Sequence, residues 1–126
     1  MTASTQTGQR LAIAAEALYL VNLLLVPGLA FLILALLFLR RERAGELARN
    51  HLEQAFAASC WAGVLLIGVG GAIVLIGDIE GMITWVVGII YLVCMHATLV
   101  LLGVLGLARA LSGKAWRYPV VGWPFR

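Results

Sequence analysis

Charge is what this 126-residue chain has least of: Asp, Glu, Lys and Arg make up 12% of it, against about 25% in an ordinary globular domain. So little polar side chain would not keep the chain dispersed in water, which excludes a soluble domain. Cysteine is limited to Cys60 and Cys94, with no CxxC pair, and that excludes a secreted disulfide framework. Both lie in apolar runs and are expected to be small buried hydrophobes. Two histidines and six carboxylates form no cluster at metal-ligand spacing and no nucleophile–base pair. No catalytic residue, metal ligand or cofactor-binding residue is assigned, and no cofactor is expected. Gly68, Gly70 and Gly71 follow no strand and lead to no lysine, so they do not make a phosphate loop. The basic residues flank apolar runs rather than forming a recognition module, and nucleic acid is not an expected partner.

What the chain has in quantity is uninterrupted hydrocarbon, with 63% of its residues hydrophobic. The runs 18–39, 55–77 and 83–107 are uncharged and each at least 22 residues long, and roughly 20 such residues cross about 30 Å of bilayer core. The sequence predicts an all-α integral membrane protein. Three transmembrane helices form one membrane domain over 1–126, with a short interfacial helix at 42–54 between the first and second. The first run is too long for a signal-peptide core and ends on Arg40 and Arg41, so it is expected to be retained.

Basic residues predict orientation. Arg40, Arg41, Arg43 and Arg49 lie between the first two runs; Arg109, Lys114, Arg117 and Arg126 follow the third; the turn at 78–82 has none. Cytoplasmic loops collect Lys and Arg. With three spans, this puts the C-terminus in the cytoplasm and the N-terminus outside a bacterial cytoplasmic (inner) membrane, Arg10 being on the less favoured side. The net charge of +3 suits a bilayer with anionic headgroups as a partner.

Within the runs a few residues stand out. Pro27, followed by Gly28, is the expected helix break, because proline removes one backbone bond and crowds the preceding turn. Asn22 and His96 are the intramembrane polar residues, and Glu16 lies early in the first helix. An ionisable group in a span marks function often enough to notice, but His96 has no second histidine near its depth, and a structural hydrogen bond is the expected role. Ala58 with Ala62, and Gly68 with Ala72, make small-xxx-small pairs suited to close helix packing. Asp78 and Glu80 read as a solvated hairpin tip. The segment 112–126 brings Trp116, Tyr118 and Trp123 together with Lys114 and Arg117, while Pro119 stops the helix. That composition predicts an aromatic, basic tail at the headgroup level, or a docking strap for another subunit.

A resemblance rests on three of these features: Pro27 in the first run, the basic connection to Asn50-His51-Leu-Glu-Gln-Ala-Phe56, and Ala110-Leu-Ser-Gly-Lys-Ala-Trp-Arg-Tyr-Pro119. The chain resembles a small bacterial membrane-protein family of unknown function, distantly related to the chloroplast inner-envelope translocon channel component. Ala110, Gly113, Trp116, Tyr118 and Pro119 follow the family's Ala-x-x-Gly-x-x-Tyr-x-Tyr-Pro ending, with Trp116 replacing the first tyrosine. Ala55 stands where the family usually has asparagine. The resemblance implies a helical membrane domain and no catalytic residues.

Two functions are compatible with these features. One is a non-enzymatic accessory or scaffold subunit that packs against other membrane subunits or copies of itself. The other is a component of an oligomeric channel or transporter for ions or small solutes, lined by Glu16, Asn22 or His96.

Overall fold

The computed structural model describes residues 3–122, with side chains from Thr7 onward. It is helical, as the apolar runs require, but two helices rather than three are long and apolar enough to cross a membrane. Four helices succeed one another along the chain: α1 (Ala3–Leu24), α2 (Leu29–Leu39), α3 (Glu46–Ile76) and α4 (Met82–Leu111). A 3-10 turn at Arg41–Arg43 joins α2 to α3.

The expected first span is where the sequence reading fails. Proline has no N–H to give the carbonyl four residues back. The helix accordingly ends at Leu24, and Gly28 turns the chain with φ of 90°, a backbone conformation that side chains with a Cβ resist. Beyond this turn α2 has only 11 residues, about 16 Å of helix and too short for a crossing. Instead α1 and α2 form a helical hairpin. Its depth is set by its contacts with α4: Gln9 reaches the Leu111 carbonyl, Tyr19 the Leu99 carbonyl and His96 the Leu23 carbonyl. Antiparallel to α4, α1 therefore runs out at the middle of its neighbour.

The two helices long and apolar enough to span, α3 and α4, are each about 45 Å long by their residue counts. The hairpin packs against their Arg-rich halves, where the core of Ala15, Tyr19, Leu34, Leu52, Ala55 and Ala58 is fully buried. Phe38 and Phe31 of α2 stack on Phe56 of α3, with ring centroids 4.1 and 5.6 Å apart. Beyond the hairpin α3 and α4 have only each other. Ile67, Leu75, Ile76, Met82 and Ile83 are more than three-quarters exposed there, a surface that only lipid or another apolar partner can cover without a large hydrophobic penalty.

The expected interfacial helix at 42–54 is not separate either. Residues from Glu46 are the first turns of α3 itself, and Ala48, His51, Leu52, Glu53, Gln54 and Ala55 are buried by the hairpin and tail. Midway along α3 the turn Val64–Val69 is a π-helix. Within this turn the Leu65 carbonyl accepts from the Tyr91 hydroxyl of α4. At the far end Asp78–Gly81 is closed locally: the Asp78 carboxylate accepts from the Glu80 N–H and its carbonyl from the Gly81 N–H. Cys60 and Cys94 are exposed rather than buried, both as free thiols on the outer faces of the spanning helices.

Candidate functional site

The densest polar chemistry lies inside the Arg-rich half, where residues that the sequence named only separately meet. Glu16 of α1 and His51 of α3 are completely buried, and Glu16 Oε1 is 2.7 Å from His51 Nδ1. His51 Nε2 is 2.8 Å from the Lys114 carbonyl. A carbonyl only accepts, so Nε2 carries a proton. Nδ1 then either donates to a Glu16 carboxylate or accepts the proton of a Glu16 carboxyl. Burial pushes the Glu16 pKa up, and its hydrogen bonds with His51 and Tyr118 work against that rise. The second Glu16 oxygen accepts from the Tyr118 hydroxyl. Burial, together with the neighbouring Glu16, raises the Tyr118 phenol pKa well above normal and keeps it a donor.

The C-terminal segment closes over this pair. After α4 the chain turns at Gly113, with φ of 69°, and continues without helix or turn through 114–118. Backbone atoms of positions 114, 116 and 118 meet one face of α3. The Lys114 carbonyl is held by His51. The Trp116 N–H donates to Asn50 Oδ1 at 2.8 Å and the Tyr118 N–H to Gln54 Oε1 at 3.0 Å. Tyr118 is 1% exposed, and its ring lies 5.1 Å from that of Tyr19. The tail is thus a latch held by Asn50, His51 and Gln54, with Tyr118 as its bolt.

Glycines on α4 make room for it. A Cβ on Gly106 would lie 2.7 Å from Glu16 Oε2 and 3.0 Å from the Tyr118 oxygen; one on Gly103 would lie 2.5 Å from the Tyr19 ring. The small-residue face that seats α1 and the latch is therefore Gly103, Gly106 and Ala110 of α4, all buried. Of the α3 small residues singled out from sequence, Ala58 and Ala62 are buried. Ala72 is half-buried, whereas Gly68 is exposed with nothing within 4 Å of where its Cβ would be.

The other sequence-selected residues serve the Pro27 break or the surface. Leu23 is the residue whose carbonyl Pro27 leaves without its helical donor, and His96 Nε2 lies 3.0 Å from it. Asn22 Oδ1 accepts from the Gly28 N–H at 2.9 Å, closing the hairpin tip. Lys114, Arg117 and Pro119 are exposed and Trp116 is half-buried, edge-on to Tyr118. Trp123, named with the tail, lies outside the described residues.

The Arg-rich rim is divided between paired and unpaired cations. Glu53, 2% exposed, sits 3.7 Å from Arg41 and 3.4 Å from Arg49, and Arg49 also reaches Glu42 at 3.3 Å. Arg41 lies 4.0 Å over the Phe38 ring. Arg40 and Arg43 make no ion pair among the described residues. No group of three or more His, Cys, Asp or Glu among those residues could hold a metal ion.

Two helices long and apolar enough to span a membrane, a helical hairpin that reaches halfway along them and a latch at 114–118 define a small helical protein whose buried polar groups hold its own parts together. Residues 9–126 match the magnetosome magnetite crystal formation protein family, MamF/MmsF, and the chain belongs to that family. Nothing in this match ties it to the chloroplast translocon component that the sequence motifs suggested. No curated protein and no solved structure matches the chain.

Proposed function

We propose that this protein is a non-enzymatic accessory or scaffold subunit that serves magnetite crystal formation from within a bacterial membrane, either the cytoplasmic (inner) membrane or that of the magnetosome. The observation that carries this reading is where its polar groups are used. Glu16, Asn22 and His96, the groups that would line a transport path, each bond within the chain, while the outer halves of α3 and α4 present apolar surface to their surroundings. That supports a scaffold over a conduit. Gly68 is exposed on α3, with the half-buried Ala72 one turn on, and the pair suits the close approach of a helix from another membrane subunit or a second copy.

Gln9 bonds to Leu111 and the latch lies on the Arg-rich half, so both ends of the described chain share a side. The positive-inside tendency would make that side cytoplasmic and set the Asp78–Glu80 turn on the opposite face. This differs from the outside N-terminus that three spans would require. The function is tested in a magnetite-forming host deleted for its own family members. Re-expression of this chain should restore crystal size and number in electron micrographs, and Gly68→Leu should lower rescue while leaving the monomer folded. Gentle extraction and then mass spectrometry should find the 13.5 kDa chain with partners or as an oligomer. Normal crystals without the chain, or a monodisperse monomer, would refute the reading.

A further inference from the structure

On the Arg-rich side the start of α1, the end of α2 and the start of α3 line an open cavity of about 730 Å³. Its apolar lining includes Leu11, Leu37 and Leu47, and its charged residues are Arg40, Arg43 and Glu46. We propose that this cavity binds a membrane glycerophospholipid, with the phosphodiester on Arg40 and Arg43 and the upper acyl chain against Leu11, Leu37 and Leu47.

Four observations converge on that ligand. First, the other two arginines of the same connection, Arg41 and Arg49, are turned to the buried Glu53, whereas Arg40 and Arg43 have no carboxylate partner among the described residues and share a cavity. Second, Glu46 offsets one of the two guanidiniums, leaving a single net positive charge, which matches the single negative charge of a phosphodiester. Third, α3 begins at Gly45 with no side-chain cap. Gly45 and Glu46 line the cavity, so the uncapped amide end of a 31-residue helix adds to the anion-attracting field there. Fourth, Leu37 lies a turn back into the apolar helix α2 from Arg40 and Leu11 lies further into α1 than Gly8, the order of parts in a lipid. A soluble phosphate would leave them exposed to water, and a purely apolar ligand would leave the two arginines unused. Arginine also suits the phosphate geometry, because its planar fork can donate two parallel hydrogen bonds.

The test uses the full chain in mild detergent and counts bound lipid by native mass spectrometry. Three probes separate the parts of the ligand: dioleoyl phosphatidylglycerol, dioleoylglycerol with the same tails and no phosphate, and sn-glycerol 3-phosphate with the phosphate and no tails. The phosphatidylglycerol adduct should survive, dioleoylglycerol should give none, and excess glycerol phosphate should not displace the lipid. Arg40→Gln with Arg43→Gln should cut the adduct about tenfold. Arg109→Gln with Lys114→Gln removes the same charge from the same side outside the cavity and should leave the adduct unchanged. Gly8 lines the cavity and a Cβ there meets nothing within 4 Å, so Gly8→Leu should block the site with every charge retained. Circular dichroism checks that each variant is folded. Equal loss from both charge pairs would reduce the effect to general attraction and overturn the proposal. Adducts with dioleoylglycerol, displacement by glycerol phosphate, or full binding by a folded Gly8→Leu variant would each overturn it as well.

Discussion

Gly103→Ala should destabilise the protein although alanine is the better helix former. In an open helical position the exchange gains about 0.5–1 kcal/mol. At Gly103 the new methyl would sit 2.5 Å from Tyr19 Cε1, 2.6 Å from a Leu20 methyl and 2.7 Å from Tyr19 Cδ1, separations at which something must move. Tyr19 cannot retreat cheaply: it is fully buried, in contact with the Tyr118 ring, and its hydroxyl donates to the Leu99 carbonyl at 2.8 Å. Overpacking costs about 1–3 kcal/mol, and loosening the hydrogen bond adds about 1 kcal/mol. The net expectation is a loss of about 1–3 kcal/mol after the helix gain is subtracted. Gly68→Ala is the matched control, because its Cβ meets nothing within 4 Å; it should be neutral or slightly stabilising. Thermal unfolding of both variants in one detergent, monitored by circular dichroism, compares them. A Gly103→Ala protein as stable as Gly68→Ala would refute the close α1–α4 approach, and with it the half-depth hairpin.

The raised Glu16 pKa means that the folded chain holds this proton more tightly than the unfolded chain. Its contribution to stability should be full below the ordinary value of 4.5 and decline as pH rises from there through the raised pKa. Glu16→Gln should flatten that part of the melting-temperature profile; an unchanged slope would assign the pH dependence to other groups. Tyr118→Phe removes the donor to Glu16 and should cost about 1–2 kcal/mol, with faster amide exchange at Trp116 and Tyr118, and protection equal to wild type would show that the latch does not depend on its bolt. With Cys60 and Cys94 replaced, single cysteines at Thr7 and Lys114 should react with an impermeant reagent from the same side of the membrane and one at Glu80 from the opposite side. Labelling of Thr7 together with Glu80 would restore a three-span topology.

Helicity and membrane residence were legible in the sequence because both depend on local composition: long apolar runs must form their backbone bonds internally when no water is present. The Pro27 break was legible for the same reason, since the missing N–H belongs to one residue. Its consequence was not, because 22 consecutive apolar residues read alike whether they cross or turn back. Counting residues measures length along the chain, and the hairpin's depth depends on Tyr19, Leu23 and Gln9 meeting carbonyls and side chains 73 to 102 positions away. Glu16 and His51 were visible as polar residues flanking apolar runs, and Tyr118 as part of the tail motif. Their meeting was hidden, because no periodicity relates residues separated by 35 and 102 positions.

By itself the sequence determined the class of solvent, the helical state, the break at Pro27 and the collection of arginines flanking the spans, all properties of residues and their near neighbours. Tertiary structure alone decided that the first apolar run stops halfway and that, within the chain, Gly103 and Gly106 receive α1. It also decided that the tail folds back over Glu16 and His51. These outcomes are set by packing, where a buried carboxyl must find its partners wherever in the chain they lie, because leaving it unpaired costs several kcal/mol, about as much as a small protein's whole margin of stability.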